Sequence, residues 1–98
     1  MADPFVITIT PSAQKALNKE LRKNESKRVK VRKALELLSD PGPSYPSLHT
    51  HTLRGRTGSS GETLHISYVE QGTPSAWRIY WAYASAGEIS IIYIGPHQ

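Results

Sequence analysis

Asp40-Pro41-Gly42-Pro43 divides this chain into two parts with different periodicities. Two prolines and a glycine in four residues remove backbone donors and stop any helix that reaches them. Upstream, apolar residues recur at helical spacing. Downstream, they alternate as in strands.

The upstream part begins with Phe5-Val-Ile-Thr-Ile-Thr10, a β-branched apolar run that reads as a strand and is stopped by Pro11. Ser12 is a candidate N-cap. Ala13, Ala16, Leu17 and Leu21 then share one helical face, giving about three turns. Asn24 to Ser26 is a polar break able to cap a second helix, whose apolar face runs through Val31, Ala34, Leu35 and Leu38. Two helices with so short a link should form an antiparallel hairpin.

The downstream part is expected to be mostly strand. Ser44 to Thr52 reads as loop or irregular strand, followed by Leu53-Arg54-Gly55 and a Gly/Ser-rich turn from Arg56 to Gly61. Thr63 to Val69 alternates, with Leu64, Ile66 and Tyr68 on one side and His65 and Ser67 on the other, less apolar one. In Ser75 to Ala84, Trp77, Ile79, Trp81 and Tyr83 alternate with Arg78, Tyr80 and Ala82 and read mainly as core. Ser85 to Glu88 is a hairpin turn and Ile89 to Ile94 the last strand. The expected architecture is a single α+β domain over residues 1–98, ordered β-α-α-β-β-β. A helical hairpin would pack on a small, twisted, mainly antiparallel sheet.

Charge and chemistry segregate along the same division. Every lysine lies upstream of Asp40, and nine basic residues fall between Lys15 and Lys33, interrupted by Glu20 and Glu25. All four histidines, His49, His51, His65 and His97, lie downstream with Arg54, Arg56 and Arg78. A formal net charge of +4 favours anionic partners. Lys27, Arg28 and Lys30 are candidate contacts to an RNA backbone, with a solvated helix surface as the alternative. Arg54 and Arg56 are candidates for the same task, with solubility as the alternative. With no cysteine there is no disulfide and no thiolate metal site. His49-x-His51 with His65 or His97 offers a zinc site as a rival reading, but few carboxylates lie near and no metalloprotease spacing is present. No metal and no cofactor are expected. No signal peptide or membrane span is visible, so a cytoplasmic location without membrane attachment is expected.

The segments H-T-L-R-G (51–55), W-R-I-Y-W-A-Y (77–83) and I-S-I-I-Y-I-G-P-H (89–97), in this order of elements, resemble the RelE/ParE superfamily of type II toxin–antitoxin toxins. The likeness is greatest to its YafQ-like branch, which uses histidines as catalytic groups. The resemblance implies an endoribonuclease, an mRNA interferase cutting mRNA on the ribosome at the A site, with a cognate antitoxin as partner. His51, His65 and His97 match the histidine positions of the branch, and Arg78 matches an arginine that holds the scissile phosphate. Where the branch has an Asp shortly before the Trp, this chain has Ser75 and Ala76, and Glu70 is the nearest acid. The sequence ends one residue after His97, where relatives often carry a helix or tail with a catalytic aromatic. Tyr93 is a possible substitute.

The implied chemistry suits these residue types. A metal-independent ribonuclease needs a base for the 2′-hydroxyl, an acid for the leaving 5′-oxygen and a cation at the phosphate. Histidine titrates near neutrality and arginine binds phosphate through a planar fork. The expected roles are acid/base for His97 and His65, substrate orientation for His51, and phosphate binding for Arg78. His49 matches no position of the branch and reads as solvent-exposed. Two rivals follow from the same fold: a ParE-like gyrase inhibitor that cuts nothing, and a non-catalytic nucleic-acid- or antitoxin-binding module.

Overall fold

The computed structural model describes residues 3–96, so His97 lies outside the described residues. The elements are β1 (Val6–Ile9), α1 (Pro11–Leu21), α2 (Glu25–Ser39), a 3-10 turn (Pro46–Leu48), β2 (His51–Thr57), β3 (Thr63–Tyr68), β4 (Trp77–Ser85) and β5 (Glu88–Pro96). This is an α+β fold with two helices packed on a five-stranded mixed sheet in the order β1-β5-β4-β3-β2. Strands β2 to β5 form an antiparallel meander, and β1 adds in parallel to β5.

The helix limits follow local chemistry. Thr10, not Ser12, caps α1: its hydroxyl accepts from Ala13 N–H at 3.3 Å. Pro11 therefore opens the helix at its first position, where a missing N–H costs nothing. Asn24 caps α2 by accepting from Lys27 N–H at 3.1 Å. Of the loop or irregular strand expected from Ser44 to Thr52, the part from His51 is an irregular strand, and it runs on to Thr57 where a turn was expected from Arg56. Its alternation is hidden because the pairing with β3 shifts between Thr52 and Thr57, around Gly55 at φ +82°.

Leu17 and Leu21 of α1 and Val31, Ala34 and Leu38 of α2 pack on Trp77, Ile79, Trp81, Ile89, Ile91 and Ile94. Register fixes which side of the sheet this is. His65 pairs with Trp81 and Ser67 with Ile79, so both point toward the helical layer. That reverses the sequence expectation. The alternation in β3 is as read, but the His65 side is the covered one, and Ser67 is fully buried there. Ser67 is satisfied by Trp81 Nε1–H, which donates at 2.9 Å, and by a hydroxyl bond with Thr50 at 2.7 Å. Leu64 and Ile66, on the opposite face, are buried as well. Two-sided burial makes the inner face illegible from polarity alone.

The second irregularity lies between β4 and β5. Trp81 pairs with Ile91 but Tyr80 pairs with Tyr93, so Ile92 is an extra residue. The bulge leaves Ile91 and Ile94 on the helix side and sends Tyr93 to the opposite face beside Tyr80.

Candidate functional site

The sheet face opposite the helices gathers the chemistry at one end. Tyr68 and Arg78 are paired across β3 and β4, and His51 pairs with Ile66, which shares the Tyr68 face. The Arg78 guanidinium carbon lies 3.7 Å from the centre of the Tyr68 ring. The His51 ring meets Tyr68 edge-on at 6.0 Å, and the His49 ring lies 5.1 Å away. One phenol thus collects a guanidinium and two imidazoles. Cation–π attraction and ring packing hold the cluster together.

Arg78 is fixed from behind. Its Nη1 donates to the Glu70 carbonyl at 2.5 Å and to the Trp77 carbonyl at 3.1 Å. Neither bond uses a carboxylate, and Arg78 makes no ion pair among the described residues. The Glu70 carboxylate is engaged elsewhere, accepting from Lys27 Nζ at 2.6 Å, Lys30 Nζ at 3.1 Å and Trp77 N–H at 3.2 Å. Burial pushes the Glu70 pKa up. The hydrogen bonds from Lys27, Lys30 and Trp77, with the Lys27 charge, outweigh it and hold the carboxyl at about 2. Glu70 therefore pins α2 to the β3–β4 connection with its side chain, and Arg78 with its backbone.

His49 and His51 are linked directly. His49 has φ +47° and ψ +39°, a left-handed conformation unusual for a residue with a side chain. Its carbonyl lies 2.9 Å from His51 Nδ1. A carbonyl only accepts, so Nδ1 carries the hydrogen of that bond.

The remaining sequence candidates fall in different places. His65 stacks on Trp81 at 4.6 Å and meets Tyr83 edge-on at 5.4 Å, on the helix side of the sheet. Three positions separate it from Tyr68, so the strand period puts the two on opposite faces. Burial lowers its pKa. It lies on the other side of the sheet from His51 and Arg78, with which the sequence had grouped it. Lys27 and Lys30 are committed to Glu70. Arg28 donates to the Leu21 carbonyl at the end of α1 at 3.0 Å and pairs with Glu25 at 3.5 Å. All three of these cations thus have partners within the fold. Arg54 and Arg56 are exposed on the edge strand β2 and make no ion pair among the described residues. Tyr83, read as core, is 47% exposed.

The far side of the cluster is tyrosine. Tyr80 and Tyr93 meet edge-on at 5.5 Å. Tyr93 lies back over Gly95, where any Cβ would come within 2.7 Å of its ring. The glycine is there to admit the tyrosine. Sequence reasoning missed Tyr68, His49 and the hub role of Glu70. Only Glu70 left a signal, as an acid near the Trp where the branch has its Asp. No group of three or more His, Asp or Glu residues with metal-binding proximity occurs among the described residues.

No protein-family model, curated protein or solved structure matches this chain.

Proposed function

We propose that this chain is a RelE-like toxin, a metal-independent endoribonuclease acting on mRNA, restrained in the cell by a cognate antitoxin. The observation that carries the reading is the convergence of His51 and Arg78 on Tyr68, on the sheet face away from the helices. Arg78 is held by carbonyls and keeps its charge for a phosphodiester. His51 supplies an imidazole at the same place. In the reaction, the 2′-hydroxyl gives its proton to His51 and its oxygen attacks phosphorus. The bond to the 5′-oxygen breaks and that oxygen takes a proton from an acid, leaving a 2′,3′-cyclic phosphate and a 5′-hydroxyl. The resemblance makes His97 one acid/base partner, and this reading gives it the role of the acid. The guanidinium of Arg78 stabilises the charge that grows on the phosphoryl oxygens.

The resemblance also supplies the ribosome as the place of cleavage. Arg54 and Arg56 are exposed on β2, the strand that begins at His51, and are offered to an RNA strand. The groove of about 400 Å³ between α1 and α2 is lined by the apolar Leu17, Leu21, Val31 and Leu35 together with Arg22 and Arg32. Its sign suits an acidic antitoxin.

The test is primer extension on a reporter mRNA after brief induction, comparing the wild type with His51→Ala and Arg78→Ala. Discrete cuts that weaken about 10²-fold or more in either variant are expected. Growth arrest without cuts would refute cleavage and favour a gyrase inhibitor. Neither cuts nor arrest would favour a binding module.

A further inference from the structure

We infer that His49 is a positioning residue of this site: its left-handed backbone aims a carbonyl at His51 Nδ1 and so fixes His51 as a base acting through Nε2. The inference rests on the proposed function and assigns a role to His49, which matches no position of the resembled branch.

The two ring nitrogens of His51 have different tasks. A neutral imidazole has one N–H and one lone pair, and which nitrogen holds which is set by the bond the other makes. His51 Nδ1 faces the His49 carbonyl at 2.9 Å. Nδ1 must therefore be the donor, and the lone pair lies on Nε2. Imidazole free in water favours the opposite tautomer, with hydrogen on Nε2, which has no lone pair there to accept a proton. The carbonyl selects the form that can act as a base at the exposed nitrogen.

The backbone at residue 49 makes this possible. The 3-10 turn Pro46–Leu48 ends with His49 N–H donating to the Pro46 carbonyl at 3.1 Å, and the chain reverses there at φ +47°. Two residues later β2 begins at His51. In an extended approach to β2, the carbonyl two residues before a side chain would point along the ladder rather than at its ring. The left-handed residue turns it inward. A glycine or asparagine would adopt this conformation with less strain, and a β-branched residue would resist it. That a histidine occupies the position, with its ring against the same Tyr68, ties the turn to the cluster.

The fit to the proposed reaction is direct. Nδ1 keeps its hydrogen bond whether the ring is neutral or protonated, so His51 can accept the 2′-hydroxyl proton on Nε2 without reorienting. Arg78 lies on the same phenol and receives the phosphate, so base and cation share one rigid support.

The test reads the tautomer first and cleavage second. Long-range proton–nitrogen correlation spectra of the ¹⁵N-histidine-labelled chain, taken above the titration of its imidazoles, distinguish the two forms of His51. The expected result is Nδ1–H in the wild type and in His49→Gly, and a shift toward Nε2–H in His49→Val. A wild-type His51 carrying its hydrogen on Nε2 would overturn the inference, as would a valine variant with an unchanged tautomer. Thermal melts check that the variants remain folded, and His49→Asn gives a second variant compatible with the left-handed turn. In the cleavage assay the valine variant should cut about tenfold more slowly than the glycine variant, a partial loss smaller than the roughly 10²–10⁴-fold of removing an acid/base group outright. Equal rates with different tautomers would overturn the role of His49 in catalysis. The expected tautomers with no cleavage by any form would leave the device standing and refute the nuclease.

Discussion

Glu70→Gln is the substitution that most directly probes how the sheet end is anchored. The amide keeps the shape and can still accept from Trp77 N–H and one lysine, so the change removes charge rather than volume. The Glu70 carboxyl is held at about 2 against an ordinary 4.5. At about 1.4 kcal/mol per pKa unit, that difference converts to about 3 kcal/mol as an upper figure. The Lys30 side chain is 54% exposed, and solvent screening at that partner reduces the net worth to about 1–2 kcal/mol. A depressed acid pKa stabilises the fold above the unfolded value and loses its effect as pH falls through the folded value. Wild type should therefore exceed Glu70→Gln by about 1–2 kcal/mol in urea unfolding at pH 7. The gap should close progressively below about pH 4.5 and nearly vanish by pH 2. A gap that persists unchanged at the acid end would mean the carboxylate charge is not the source, and the reasoning would fail. No gap at pH 7 would refute it equally.

Three further substitutions test other parts of the structure. His65→Phe keeps the stack on Trp81 but removes a titrating group. Because burial lowers the His65 pKa, wild type should lose stability as pH falls below 6.5, and the variant should lose less, as measured by melting temperature between pH 7 and 5. Ser67→Ala leaves the buried Trp81 Nε1–H without its acceptor. It should cost about 1–3 kcal/mol, or several degrees of melting temperature at about 4–8 °C per kcal/mol for a domain this size. Gly95→Ala should destabilise by about 1–3 kcal/mol because its Cβ meets the Tyr93 ring. The same change in a Tyr93→Ala background should cost markedly less, and a double-mutant cycle measures the difference.

The two-part plan of the chain was written in local chemistry. The breaker at Asp40 to Pro43, the helical spacing of Leu17, Leu21, Val31 and Leu38, and the alternation of Trp77, Ile79 and Trp81 each act within a few residues. Each survives in the fold. His51 and Arg78 were also legible as candidates, because imidazole and guanidinium stand out in a strand-rich region. What the sequence could not carry was sidedness. His65 and Tyr68 alternate as read. Which of them meets the helices depends on where α1 and α2 dock, and burial on both faces of β3 removes the polarity that would have revealed it.

The lysine run shows the same limit from the charge side. Along the chain, Lys27 and Lys30 look like part of a solvated or phosphate-binding stripe, since Glu70 lies 40 residues or more away. Only tertiary packing brings that carboxylate between them and turns two of the stripe's cations into a structural anchor. The bulge at Ile92 is likewise a product of pairing, and it alone decides that Tyr93 faces Tyr80. Sequence by itself determined the elements and the inventory of reactive side chains, because those follow from neighbours along the chain. The tertiary structure decided which of these side chains meet, because strand register and helix docking are set by contacts between residues far apart in sequence.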